Sequence, residues 1–366
     1  NYLYADSGGN IGYSLAGAVP LRAGRPSLLP LDGAESKAEW QGSIPFDELP
    51  HLYNPPEGVI ATANNDVAGG GYEYYLSDLF DPPYRIRRIR ELLAGKKTLA
   101  VADMERMQQD TVSVHAREIV EALGADLARI AASGGASAKA AESLLAWDGG
   151  SPAESREAAV FQFFYHRLTE NLLQPTLGEN LFSTYIEIFN QSVYPLEQIL
   201  KDPASPWFAA APRPALVEKS LEQACGELAR RLGPDMEQWQ WGKVHTLGLG
   251  HPLDAVWMLR RLISIEPFPT GGDGVTINMG FFRRSHPYEH TVGPSLRMIL
   301  DLAVPGRSLF VLVPGQSGHF LSPHYRDQTD LWRGGGYIEM AGDEKTAGPL
   351  VLTPQYKVPD PAAQTE

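Results

Sequence analysis

Residues 58–89 read GVIATANNDVAGGGYEYYLSDLFDPPYRIRRI. The run begins with a short apolar, partly β-branched segment, residues 59–63, which predicts a buried strand ending in two amides, Asn64 and Asn65. Side chains alternate across a strand, so only one of those amides can face a given cleft. A glycine-rich loop follows at 69–71, and then a helix start. Asp81 is the expected N-cap, Pro82 and Pro83 occupy the expected first turn, and an amphipathic run extends from Tyr84 to Leu93. Arg85 falls in that first turn, where a cation opposes the helix dipole by roughly 0.3–1 kcal/mol. Some other partner is therefore expected to hold it. A neutral amide donor facing a misplaced arginine suits the stabilisation of a developing oxyanion.

On the N-terminal side of this stretch, residues 2–5 and 11–15 flank the turn Ser7-Gly8-Gly9-Asn10 and predict a hairpin, with Asp6 and Asn10 as turn formers. Residues 20–58 hold many prolines and glycines around Trp40 and predict a long ordered loop in which Trp40 and Phe46 find burial. From Thr98 to about Leu232 the apolar period becomes 3.6 residues, with a break at residues 148–152. Strands are expected again at 275–279, 309–313 and 350–352. Strands at both ends with helices between them give an α+β architecture. The expected divisions are a β-rich part at 1–97 carrying the oxyanion strand, a helical region at 98–235, and a β-rich C-terminal part of the same core at 236–366.

At 366 residues and 43% hydrophobic content the chain can bury a large core. Its 44 acidic against 31 basic residues give a net charge of −13, a balance that argues against nucleic acid or anionic membranes as partners. No apolar run approaches the ~20 residues of a membrane span. A single cysteine, Cys225, excludes an internal disulfide, and its helical context reads as a structural thiol.

The pattern NPPEGVIATANN at 54–65 followed by PPYRIRRI at 82–89 resembles the penicillin acylase (penicillin amidase) family of N-terminal-nucleophile hydrolases. Further blocks extend the likeness in the family's order: YADSGGNIGY at 4–13, MQQDTVSVHA at 107–116, QWQWGKVHTLGLGHPL at 238–253, GPSLRMILDL at 293–302 and PGQSGHFLSPHYRDQTDLW at 314–332. The resemblance implies an αββα four-layer sandwich with a helical insertion. It also implies hydrolysis of an N-acyl amide through an acyl-enzyme on an N-terminal serine. Residue 1 is Asn1, which has neither hydroxyl nor thiol, so the likeness implies the C-terminal part of a family β-chain. The nucleophile is then expected upstream, the chain alone is expected to be inactive, and the α-chain and the N-terminal part of the β-chain are its expected partners. A periplasmic or secreted location is implied in the same way. A scaffold that keeps the fold without the nucleophile is the alternative.

By resemblance, Asn64 takes the place of the family's oxyanion-hole asparagine, although the residues alone also allow Asn64 and Asn65 simply to turn the chain. Arg85 matches the arginine that positions that asparagine, or it belongs to a solvated face with Arg87, Arg88 and Arg90. Asp78 resembles a calcium-coordinating aspartate of some members, with a backbone carbonyl near Pro30 as a further ligand; a structural Ca2+ is expected on that basis, and no organic cofactor. His245, His251, His319 and His324 lack metal-ligand spacing. Ser317, His319 and Asp327 do not form a nucleophile elbow, because His319 stands where G-x-S-x-G needs its last glycine. Trp239, Trp241, Tyr72, Tyr74 and Tyr75 either line an acyl pocket or fill the core.

Overall fold

The first turn is closed by its own side chains. Asp6 accepts from the Asn10 backbone N–H at 3.0 Å and from the Asn10 amide at 2.9 Å, while Gly9 takes φ +86°. The flanking strands β1 (Tyr2–Ala5) and β2 (Ile11–Ser14) pair as the expected hairpin. The computed structural model describes residues 1–22, 30–34, 39–135, 137–188, 192–304 and 307–340. Next come β3 (Pro20–Arg22) and β4 (Trp40–Ser43), which pair with each other, and β5 (His51–Tyr53), which adds to β2 in the order β1-β2-β5. Tyr2, Leu3, Tyr4, Leu52 and Tyr53 of this three-stranded sheet are all exposed.

Two expectations fail in this region. Trp40 and Phe46 remain 69% and 77% exposed. The β3–β4 ribbon offers Trp40 no core, and its ring instead lies under the Arg22 guanidinium, 5.9 Å away. Residues 59–63 are not a strand. No described strand runs alongside them, and side chains do the holding: Asn1 Nδ2 donates to Thr62 Oγ1 at 2.9 Å, and the Ala63 N–H donates to Asn65 Oδ1 at 3.0 Å.

The helical region follows the sequence period closely. It comprises α1 (Tyr84–Leu93), α2 (Val101–Gln108), α3 (Val114–Ala122), α4 (Gly124–Ala132), α5 (Ala138–Ala146), α6 (Arg156–Glu187), α7 (Val193–Lys201) and α8 (Arg213–Leu232). Ser113 caps α3 by accepting from the Ala116 N–H at 3.2 Å, and Ser155 caps α6 by accepting from Ala158 at 3.0 Å. The first turns of α6 are buried on every side, from Ala158 through Tyr165. Such a helix forms the middle of a core rather than its edge. Burying Phe161, Phe163 and Phe164 there contributes roughly 1.5–3 kcal/mol each. α6 packs along α8 and bends where Gly178 takes φ +72°, three residues after Pro175. Cys225 is buried on α8, and burial pushes its thiol up to about 11, as a structural cysteine requires.

Beyond Leu232 the chain forms β6 (Thr246–Leu249), α9 (Trp257–Ile263), β7 (Ile265–Pro269), β8 (Leu296–Ile299), β9 (Leu309–Leu312), α10 (Thr329–Gly334) and β10 (Ile338–Glu339). β6 pairs with β7, and β10-β9-β8 form an antiparallel sheet. The expected strand at 275–279 is absent because local side chains capture its backbone. Asp273 accepts from the Val275 N–H at 2.9 Å, and Thr276 accepts from the Asp273 N–H at 3.0 Å. The strand expected at 350–352 lies outside the described residues. The fold is thus mixed α+β, a helical core flanked by small antiparallel sheets.

Candidate active-site cleft

Asn64 and Asn65 divide the two roles their sequence left open. Asn65 makes the turn: its Oδ1 accepts from Ala63 and its Nδ2 donates to the Asp66 carbonyl at 2.7 Å. Asn64 sits at φ +61°, a left-handed conformation that asparagine tolerates better than most residues, and its side chain is exposed. Its backbone carbonyl accepts from the Asp81 N–H at 2.9 Å, and its Oδ1 accepts from Arg85 Nη2 at 2.8 Å. A guanidinium only donates, so the oxygen end of the amide faces Arg85 and the NH2 end is left to donate. No described residue accepts from that Nδ2.

Arg85 is held as its place against the helix dipole demands. Its Nη2 donates to the Asp81 carboxylate at 2.5 Å and to the Ala63 carbonyl at 3.0 Å, in addition to Asn64. This corrects the reading of Asp81 as an N-cap. Pro83 stands at the cap position without a side-chain bond, and the Asp81 carboxylate serves Arg85 instead. The arginine cluster also resolves. Arg88 grips both oxygens of Asp110 at 3.0 and 2.7 Å, and Arg87 pairs with Glu118. These two tie α1 to its neighbours, and Arg85 reaches the Asn64 turn.

Asn64 opens onto a cleft of about 560 Å³ whose walls include Leu15, Val19, Val67, Leu76, Leu79 and Phe80, with Asn1, Asn65, Ser77 and Asp81 as its polar members. An apolar wall with one outward amide suits an acyl chain whose carbonyl needs a donor. Of the aromatics left between an acyl pocket and the core, none lines this cleft. Trp239 and Trp241 are buried in the helical core, and Tyr72 and Tyr74 turn their hydroxyls to Glu48. Nothing in the sequence marks the wall at 76–80, because Leu76, Leu79 and Phe80 have the spacing of a helix face yet lie in no helix or strand.

Asp78 and Pro30 are both exposed. Among the described residues no three His, Cys, Asp or Glu side chains gather to hold a metal. A calcium ion wants six to eight oxygens, so one bound at Asp78 and Pro30 would draw most of its ligands from elsewhere. His245 is buried, stacked on Trp241 at 4.4 Å and on His290 at 5.0 Å, whereas His319 and His324 are exposed. His324 Nδ1 meets Asp327 at 2.8 Å, and Ser317 Oγ accepts from the His319 backbone, so no triad forms at 317–327.

The penicillin amidase family pattern matches residues 1–347. The chain belongs to the penicillin amidase family. It is 30% identical to penicillin acylase 2 proenzyme of Pseudomonas sp. (strain SE83), covering 98% of this chain and 46% of that protein. It is 27% identical to the acyl-homoserine lactone acylase QuiP of Pseudomonas aeruginosa over 92% of this chain and 44% of that one. Thermostable penicillin G acylase from Alcaligenes faecalis matches in fold, with a TM-score of 0.65 at 20% identity, over 97% of this chain and 68% of that chain. The chain therefore spans less than half the length of the curated relatives it matches, and the α+β fold expected for a penicillin amidase is the fold found. No helix among the described residues is long and apolar enough to cross a membrane.

Proposed function

We propose that this penicillin amidase chain forms part of an N-acyl amide hydrolase, with Asn64 donating to the oxyanion and Arg85 fixing Asn64. The observation that carries the reading is an asparagine fixed at two points, its backbone carbonyl by the Asp81 N–H and its Oδ1 by Arg85, with an Nδ2 at the cleft from which no described residue accepts. In this reading a serine hydroxyl from polypeptide outside the chain attacks the substrate carbonyl, and the serine's own α-amine takes the proton. The tetrahedral oxyanion accepts from Asn64 Nδ2. The C–N bond then breaks, the amine leaves with the proton, and water releases the acid from the acyl-serine. The α-chain and the N-terminal part of the β-chain are the proposed partners, 1–97, 98–235 and 236–366 the proposed divisions, and the periplasm or the exterior the proposed location.

The substrate class is an N-acyl amide with an apolar acyl group, which the apolar walls of the cleft support. Relatives named as penicillin acylase and as acyl-homoserine lactone acylase support counting penicillins and N-acyl homoserine lactones in that class. The test is the complete enzyme assayed on a chromogenic N-acyl anilide, an N-acyl homoserine lactone and a penicillin. Release of the acid from any of the three, abolished by Asn64→Ala in a protein that stays folded, supports the reading. A complete protein that cleaves none of them supports the scaffold.

A further inference from the structure

Arg297 is 4% exposed on β8, its guanidinium 4.4 Å over the Trp332 ring. Nη1 donates to the Trp332 carbonyl at 2.7 Å and Nη2 to Asn278 Oδ1 at 2.9 Å, while Nε has no partner among the described residues. Two of the five guanidinium N–H groups are thus used, both on neutral acceptors, and three remain. No described carboxylate pairs with it. A buried cation left in this state carries an uncompensated desolvation cost, so such groups are ordinarily paired. Burial with no anion opposite draws Arg297 down to about 10, below the usual arginine range.

Arg297 lines a cavity of about 370 Å³, and Gln109, which also lines it and lies against Tyr337, has an amide nitrogen with no well-formed hydrogen bond among the described residues. The other charged groups lining it are Lys243, Arg333 and Glu154, all three exposed, two cations against one anion. None of the residues lining this cavity lines the Asn64 cleft.

We propose that this cavity is a second binding site, separate from the Asn64 cleft, and that its ligand is a carboxylate held by Arg297 with Gln109 as an auxiliary donor. A carboxylate presents two oxygens in the plane a guanidinium edge is built to meet, and it supplies the negative charge the buried cation lacks. The group arrives either as a small free acid or as an Asp or Glu side chain of polypeptide outside this chain. The inference does not rest on the acylase reading, since it concerns other residues and another cavity.

Fluorine NMR of trifluoroacetate titrated into the full-length protein, with chloride holding the ionic strength constant, tests it. Saturable line broadening is expected for the free-acid case. Arg297→Gln should weaken it at least tenfold and Arg333→Ala several-fold. The exposed Arg333 keeps the test usable should the Arg297 variant misfold. In the side-chain case trifluoroacetate does not broaden, and the crystal structure of the full-length protein shows an Asp or Glu oxygen within hydrogen-bonding reach of Arg297. Absent broadening with only water or neutral groups on Arg297 overturns the proposal. So does broadening that both substitutions leave unchanged, which marks adventitious binding elsewhere.

Discussion

Arg85 Nη2 donates to Asn64 Oδ1 at 2.8 Å, and this bond decides which end of the Asn64 amide is presented to the cleft. Without it the carboxamide can rotate by a half-turn and offer an oxygen where a donor is needed.

Removing the donor while keeping the backbone isolates its chemistry. Asn64 sits at φ +61°, where glycine is at ease, so Asn64→Gly should leave the melting temperature within about a degree or raise it slightly. Its kcat in the complete enzyme should nonetheless fall by roughly 10²- to 10³-fold, as for loss of one oxyanion donor. A glycine variant with near-normal turnover would remove Asn64 from the mechanism.

The role proposed for Arg85 is indirect, and coupling measures it. Arg85→Ala should lower kcat roughly tenfold or more, whereas Asn64→Ala combined with Arg85→Ala should be little worse than Asn64→Ala alone, since the second change acts only through the first. Steady-state kinetics of the two single variants and the double variant give the cycle. Fully additive losses would mean that Arg85 acts on the substrate or on the fold instead.

Three buried histidines steepen the acid limb of stability. Burial holds His115 and His245 down at about 3 and His290 at about 4. Their folded values lie below the unfolded one, so the unfolded chain takes up the protons first. The stability they give is present above pH 6.5 and is lost progressively as pH falls from there toward 4. Each neutral histidine steepens the loss by about 1.4 kcal/mol per pH unit. Replacing His115, which meets Tyr84 and Tyr165 edge-on, with Phe should flatten the slope by one such increment, read from urea midpoints between pH 6.5 and 4.5. An unchanged slope would rule His115 out as a contributor.

Gly272 tests the packing of the loop that replaces the expected strand. It holds φ +81°, and a Cβ there would stand 2.2 Å from the Asn278 carbonyl oxygen. Its own carbonyl accepts from Trp241 Nε1 at 2.9 Å. Gly272→Ala should destabilise by about 3 kcal/mol or more, combining left-handed strain with a backbone clash. Chemical denaturation of the variant measures it, and a loss under about 1 kcal/mol would show that the loop can shift aside.

What the sequence made legible was chemistry that stays local. The β1–β2 hairpin follows from Asp6 and Asn10 bonding each other within five residues, and α3, α4 and α6 from the 3.6-residue apolar period each carries within itself. The need of Arg85 for a partner was legible from its place against the dipole, but the partner was not. Asp81 is four residues away, and the ordinary habit of aspartate before a helix is to cap it. Residues 59–63 and 275–279 have strand composition, yet a strand also requires a neighbour, and composition carries no information about one. The exposure of Trp40 and Phe46 was hidden for the same reason, because burial belongs to what lies opposite a side chain. The cavity around Arg297 draws on Gln109, Lys243, Arg297 and Arg333, which are remote in sequence, and no spacing rule joins them.

The three-stranded sheet of β1, β2 and β5 wears tyrosine and leucine openly on Tyr2, Leu3, Tyr4, Leu52 and Tyr53. A ribbon so greasy, with an outer rim on β1 that no described strand pairs, is a template for sticking to its own kind. Produced by itself, this polypeptide should therefore precipitate during purification and be rescued by mild non-ionic detergent, a handling property that follows from five side chains near its beginning.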